Sequence, residues 1–341
     1  MTIDKGKRTT LRRIESAGFE ERRFNTGEIE MNYVVGPNHG PALVLVPAQI
    51  GTWESYQRVL LPLSHKFQVY SIDIRGHGKS DWTTGDYSWE SIGRDMTAFL
   101  KQVVRRPAII SGNSSGGLIA LWSAANLPER VSAIILEDTP VFSAEMPRFR
   151  DEDRFVYQGL QHVVEALGDP KNRDLADYFR GQVLPVKGSR RERRVPDWFI
   201  NILSRLIRRY EASHPGQPVE ISYFPSTMRR LFKSLSTFDP DFARAFVDGR
   251  IYKGLDHAEA LNRIKCPMLV LHANWFRHSK HGLVGAMDDR DAARIQTLVP
   301  HAQYKEIPAN HVIHVFKPKI FVREVEAFAA QIENQLKPEV Q

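Results

Sequence analysis

Pro107-Ala108-Ile109-Ile110-Ser111-Gly112-Asn113-Ser114-Ser115-Gly116-Gly117-Leu118-Ile119-Ala120-Leu121-Trp122 decides the fold of this 341-residue chain. The stretch reads as a short buried strand, a sharp turn between glycines, and a helix of small and apolar residues. At its apex stands Gly112-x-Ser114-x-Gly116, a pattern that holds a serine on a strained strand-to-helix turn with its hydroxyl in the open. Side chains at the two glycine positions would clash where the turn folds back on itself. The helix that starts right after Ser114 offers free N–H groups and the positive end of its dipole. Those features suit a serine that attacks a carbonyl and then stabilises the resulting oxyanion. The pentapeptide also arises by chance, so the reading needs a base and an acid elsewhere in the chain.

Working outward, residues 19–26 and 29–35 read as strands joined at Asn25-Thr26-Gly27. Residues 42–46 and 67–74 are continuous apolar runs of buried-strand type, the second ending in the glycine-rich loop Arg75–Asp81. Residues 89–104 form an amphipathic pattern, with Ile92, Met96, Phe99, Leu100 and Val103 on one face. After the elbow comes a buried strand at 131–136, ending in Glu137-Asp138-Thr139-Pro140. The alternation then stops, and residues 141–262 are mostly helical and rich in arginine and aromatics. Strand character resumes at 267–272 and 302–307, and a helix closes the chain from about 318. This order predicts an α/β fold, a mostly parallel sheet covered by helices on both faces. The expected organisation is a basic leader over 1–18, a core of 19–140 and 263–336, and a helical cap over 141–262. An insertion at the carboxyl edge of the sheet would roof the place where open α/β sheets bind ligands.

Hydrophobic residues make up 42% and charged residues 26% of the chain, a composition suited to a sizeable core in a soluble protein. The net charge of +7 is spread along the sequence, apart from Arg190-Arg191-Glu192-Arg193-Arg194. With no nucleic-acid motif beside it, that run reads as a solvated loop of the cap rather than a contact with an anionic surface. The single cysteine, Cys266, has no partner for a disulfide or a metal site and reads as a buried thiol. The N-terminus lacks the apolar core of a signal peptide, and no run is long enough to span a membrane. The expectation is a cytoplasmic protein without membrane partner, metal or cofactor, with a homodimer left open.

A serine hydroxyl needs an imidazole to take its proton, and the imidazole needs a carboxylate to orient it and stabilise its charge. On this architecture the chain order is Ser, acid, His. His311, in the loop Ile307-Pro308-Ala309-Asn310-His311 before the closing helix, is the expected base; His314 is its competitor. The loop after strand 267–271 is the usual place for the acid, but His272-Ala273-Asn274-Trp275-Phe276 carries no carboxylate. Asp138 is the first choice, at the end of the neighbouring strand. Asp288 is second, though with Asp289 it opens a helix, where capping explains it equally well. Asp73 and the Arg75–Asp81 loop read as shaping elements. The oxyanion hole draws one N–H from Ser115 and one from the loop Val46-Pro47-Ala48-Gln49, where Pro47 has none to give and spacing favours Gln49.

Asp73-Ile74-Arg75-Gly76-His77-Gly78-Lys79-Ser80-Asp81, Gly112-Asn113-Ser114-Ser115-Gly116 and Pro308-Ala309-Asn310-His311 together resemble the alpha/beta-hydrolase superfamily over residues 25–140 and 265–335. Within it, Val46-Pro47-Ala48-Gln49, Gly112–Leu118 and Glu137-Asp138-Thr139-Pro140 resemble the bacterial zearalenone lactonases, which open a macrocyclic lactone. The resemblance implies a serine hydrolase of carboxylic esters acting on a small-molecule ester or lactone, with the acid at Asp138. Cap aromatics could line an apolar pocket, with Trp198 the first choice, followed by Phe142, Tyr223 and Phe224; Phe149 and Phe155 belong to the same wider set. A carbon–carbon bond hydrolase using the same triad and a non-catalytic ligand receptor are the competing readings.

Overall fold

The computed structural model describes residues 11–169, 171 and 173–336. Eight strands form one sheet: β1 (Glu20–Asn25), β2 (Glu30–Val35), β3 (Ala42–Val46), β4 (Gln68–Ile72), β5 (Ala108–Asn113), β6 (Val131–Glu137), β7 (Met268–His272) and β8 (Gln303–Glu306). Their spatial order is β1-β2-β4-β3-β5-β6-β7-β8. β1 and β2 pair antiparallel with each other, as do β2 and β4, and every pairing from β4 to β8 is parallel.

The apolar runs explain the layering. Successive strand residues point to opposite faces. In β3, Ala42, Val44 and Val46 enter one core while Leu43 and Leu45 enter the other. β6 and β7 divide the same way, with Ile134, Leu136, Met268 and Val270 on one side and Ala133, Ile135, Leu269 and Leu271 on the other. A strand apolar at every position is therefore buried on both faces. Helices Trp89–Phe99 and Ser115–Asn126 cover the first face. Gln57–Ser64 and Pro318–Leu336 cover the second, through Val59, Leu60, Leu63, Phe321, Val325 and Phe328. Ser88 caps the helix at 89 in a reciprocal box with Ser91. That helix ends at Phe99, and residues 100–104 widen into a π-turn closed by Arg105 at φ 62°, so the amphipathic pattern outlasts the regular helix.

Three expectations need correction. Residues 1–10 of the expected leader lie outside the described residues, but residues 11–16 are helical and Ile14 is buried in the second core. Its side chain has apolar surface to cover beside Phe19, so this turn is packed rather than frayed. The insertion between β6 and β7 carries helices Arg154–Leu167, Asp197–Ser213, Ser226–Ser236 and Pro240–Asp248, and also a hairpin of Val183–Pro185 with Glu192–Arg194. The arginine run is therefore partly strand. A second hairpin, Phe276–His278 with Gly282–Val284, follows β7 where only a loop extension was legible.

The Arg75–Asp81 loop is built on buried charge. The Arg75 side chain is fully buried and donates to Asp95 at 2.6 Å, Glu28 at 2.7 Å and Asp86 at 3.0 Å. Asp73 accepts from Trp53 N–H at 2.7 Å, Asn32 Nδ2 at 2.8 Å and Lys79 N–H at 3.1 Å. Burial pushes the Asp73 carboxyl up to about 6 against those hydrogen bonds. These contacts tie the loop to β2 and to the chain after β3, in the shaping role expected of them. Arg75→Met is expected to cost about 3–5 kcal/mol, because it strands Asp95 as a buried carboxylate without its cation. The check is a lower urea midpoint at unchanged slope.

Candidate active site

Ser114 sits between β5 and helix Ser115–Asn126 at φ 54° and ψ −123°, a backbone region costly for a side-chain-bearing residue. The flanking glycines explain how the turn closes. A Cβ on Gly112 would lie 2.0 Å from Gly116 O, and one on Gly116 would lie 2.3 Å from Val46 O. The second contact brings the turn against the end of β3, which leads into the Pro47–Gln49 loop. Ser114 N–H donates to Glu137 O at 3.0 Å, locking the elbow to the end of β6.

The structure brings His311 and Asp138 together. His311 Nδ1–H donates to Asp138 Oδ2 at 2.6 Å, and Asp138 Oδ1 accepts the Ala273 N–H at 3.0 Å. Asp138 is 1% exposed and takes φ 43°, turning its carboxylate towards the loop after β8. Desolvation disfavours the charged His311 ring, but the hydrogen bond and charge of Asp138, with Glu137 behind it, outweigh this and raise its pKa above the ordinary histidine value. Ser114 and His311 line the same cavity of about 690 Å³. Among the described residues no hydrogen bond joins the Ser114 hydroxyl to the ring; such bonds commonly tighten only with substrate in place.

Asp288 lies elsewhere. It caps helix Asp289–Leu298 through the Arg290 and Asp291 N–H groups and accepts from Arg277 at 2.7 Å. Desolvation is overcome by Arg277, the Asp291 N–H and Arg290, which hold its pKa down at about 2. It makes no hydrogen bond to His311, so the structure gives it the capping role.

Gln49 and Ser115 both line the cavity beside Ser114. The Gln49 N–H is already engaged, donating to Ser115 Oγ at 2.9 Å. For that amide to meet an oxyanion, the Ser115 hydroxyl must rotate away; if it stays, its own O–H is the donor that can turn towards the oxyanion. Nothing in the spacing announced this contact.

The four aromatic expectations fail for the cavity wall. Trp198 is 66% exposed, because helix Asp197–Ser213 buries Ile200, Leu203 and Ile207 and leaves Trp198 outside that face. Tyr223 is 59% exposed, and its neighbour Phe224 is packed on Phe232. Phe142 is buried under the Arg294 guanidinium, 3.8 Å from the ring centroid, and its N–H donates to His257 Nδ1 at 2.9 Å. The wall is instead supplied by Phe149, Phe155, Leu160 and Phe246 of the insertion, Phe276 of the second hairpin and Trp275 just before it. Arg277 fastens that hairpin to the insertion, donating to Asp153 at 2.9 Å.

Sequence reasoning also missed a second histidine–carboxylate pair beneath the first. Glu137 is fully buried, and its carboxylate accepts both the His314 N–H at 2.8 Å and the His314 ring Nδ1–H at 2.8 Å. Tyr56 stacks on that ring at 3.9 Å. Asn113 Nδ2 bridges Glu137 O at 3.1 Å and His311 O at 3.0 Å. The elbow, the end of β6 and the His311 loop are thus bracketed together. The signal was present in the adjacency of Glu137 to Asp138, since neighbouring strand residues face opposite ways and Glu137 must find its own partner. Glu137→Ala is expected to cost about 3 kcal/mol by leaving the buried His314 groups unpaired. Urea unfolding and kcat at saturating substrate should both fall, since the His311 loop loses its anchor.

The fold and this cleft define an alpha/beta hydrolase: the alpha/beta hydrolase fold family matches residues 41–318, and the chain belongs to it. It is 28% identical to 3-oxoadipate enol-lactonase 2 of Acinetobacter baylyi over 140 residues, 40% of this chain and 52% of that protein. It is equally 28% identical to a 2-(acetamidomethylene)succinate hydrolase of Mesorhizobium japonicum over 133 residues, 39% of this chain and 48% of that one. A fluoroacetate dehalogenase of a Burkholderia species matches at 28% over 151 residues, 42% of this chain and 48% of the relative. The matched stretch spans about half the length of each of these relatives. A bacterial membrane phospholipase A superposes with TM-score 0.65 at 18% identity, covering 97% of this chain and 93% of its own. A Pseudomonas aeruginosa hydrolase superposes with TM-score 0.61 at 21% identity, covering 92% and 99%. At such identities the likeness is one of fold. No helix among the described residues is long and apolar enough to cross a membrane.

Proposed function

We propose that this protein is a serine hydrolase of carboxylic esters, with a lactone as the preferred substrate class. The observation that carries the reading is the 2.6 Å contact between His311 Nδ1 and Asp138 Oδ2, on the wall of the cavity that Ser114 also lines. With Nδ1–H held by the carboxylate, the ring keeps Nε2 free to take the Ser114 proton. Ser114 Oγ attacks the ester carbonyl, and the N–H groups of Ser115 and Gln49 stabilise the oxyanion once the Ser115 hydroxyl has moved. His311 returns the proton to the leaving alkoxide, which departs as the alcohol. Water, deprotonated by the same ring, then attacks the acyl-enzyme and frees the acid and Ser114. The mainly apolar wall suits a large, partly aromatic ester.

The lactone preference rests on the motif resemblance to zearalenone lactonases at Val46–Gln49 and Glu137–Pro140, and it is in keeping with the enol-lactonase relative. A dehalogenase chemistry like that of the Burkholderia relative is disfavoured, because Ser114 stands where an aspartate nucleophile is needed. The test is a hydrolysis screen of lactones graded by ring size, nitrophenyl esters and ring-cleavage diketones, read by mass spectrometry. Macrolactone opening above the rate on open esters supports the proposal. Turnover of the diketones alone would replace it with carbon–carbon bond hydrolysis.

A further inference from the structure

Gln49 lines both the cleft and a second cavity of about 440 Å³. One wall of the second cavity is apolar, formed by Val315 and Phe316 among others. On the other stands Arg230, whose guanidinium has no hydrogen bond or ion pair among the described residues. Glu54, the carboxylate on the same wall, is already taken by Lys233. Arg58 is spent on the Val315 carbonyl at 2.8 Å, and Arg229 is buried nearby with its Nε unpaired. Desolvation, then the Arg58 charge, lowers the Arg230 pKa, with Glu54 opposing. Gln49 Nε2 and His314 Nε2, of two further lining residues, are buried without partners.

A half-desolvated guanidinium without an anion is an unfavourable arrangement that a bound carboxylate would relieve. Its planar fork matches a carboxylate in bidentate fashion, and the apolar wall has room for a hydrocarbon or aryl body. A competing cation for such a ligand is Lys187, on the wall of the main cavity. We propose that the second cavity is a binding site for an apolar monocarboxylate, its carboxylate on Arg230 and its body against Val315 and Phe316. This site is distinct from the Ser114 cleft and does not depend on the ester chemistry proposed above.

The test is calorimetric titration of the full chain with 4-phenylbutyrate and with 4-phenylbutanol, in the unsubstituted protein, Arg230→Met and Lys187→Met. Arg230 makes no hydrogen bond or ion pair among the described residues, so Arg230→Met should unfold at no lower a temperature than the parent. Expected is binding of the acid that weakens about 10-fold or more in Arg230→Met and is unchanged in Lys187→Met, with the alcohol weaker by a similar factor. The proposal is overturned if Arg230→Met binds the acid like the parent, if acid and alcohol bind alike, if Lys187→Met alone loses binding, or if the parent does not bind the acid.

Discussion

Ser114→Ala is expected to lower ester turnover by about a million-fold without unfolding the protein. The chemistry depends on one oxygen, since alanine can neither attack the carbonyl nor carry the acyl group. The fold should survive, because the Ser114 hydroxyl has no hydrogen-bond partner among the described residues whose loss would leave a buried group stranded. Alanine also takes over the same backbone angles, φ 54° and ψ −123°, so the elbow carries no strain it did not carry before. Thermal unfolding should coincide with the parent, and a fluorophosphonate that labels the parent at Ser114 should leave the variant unlabelled. Turnover kept within tenfold, or labelling at another residue, would move the nucleophile elsewhere.

Asp138→Asn should lower kcat by about 10⁴, with the fold retained. An asparagine at this position can present its NH₂ to His311, favouring the wrong ring tautomer, and it has no charge to stabilise the imidazolium. The pH dependence has a definite sign. The base works when neutral, so activity rises with pH through the His311 pKa, which Asp138 holds above the ordinary value despite desolvation. Removing the carboxylate lets desolvation dominate, and the acid limb should move to lower pH. The same raised pKa makes the pair's contribution to stability full below the ordinary histidine pKa and lost as pH climbs through the folded one. Asp288→Asn is the control. It weakens a helix cap and the Arg277 contact, costing about 1 kcal/mol of stability, with kcat nearly unchanged. If Asp288→Asn rather than Asp138→Asn removed several orders of magnitude, the acid would have to be reassigned.

The core was legible because its signals are local. The eight strands lie close to the stretches read as strands, and the apolar run of β3 occupies Ala42–Val46 as read. The elbow was legible because glycines at 112 and 116 answer contacts made within and next to the turn itself. The insertion was harder to read. Its helices follow from apolar spacing, but a short pair of strands such as Val183–Pro185 with Glu192–Arg194 has too few residues for a periodic pattern, and its arginines looked like solvated loop.

The sequence by itself determined the α/β class, the elbow, and which residue types could serve as nucleophile, base and acid, since each follows from neighbours within a few positions. Only the tertiary structure decided which carboxylate reaches His311, which aromatics face the cleft, and that Glu137 and His314 form a second pair. Those outcomes depend on where a backbone turns at the end of a strand and on which face of a helix finds a core to cover. Asp138 at φ 43° and Trp198 at 66% exposure are both consequences of contacts made by residues far away along the chain.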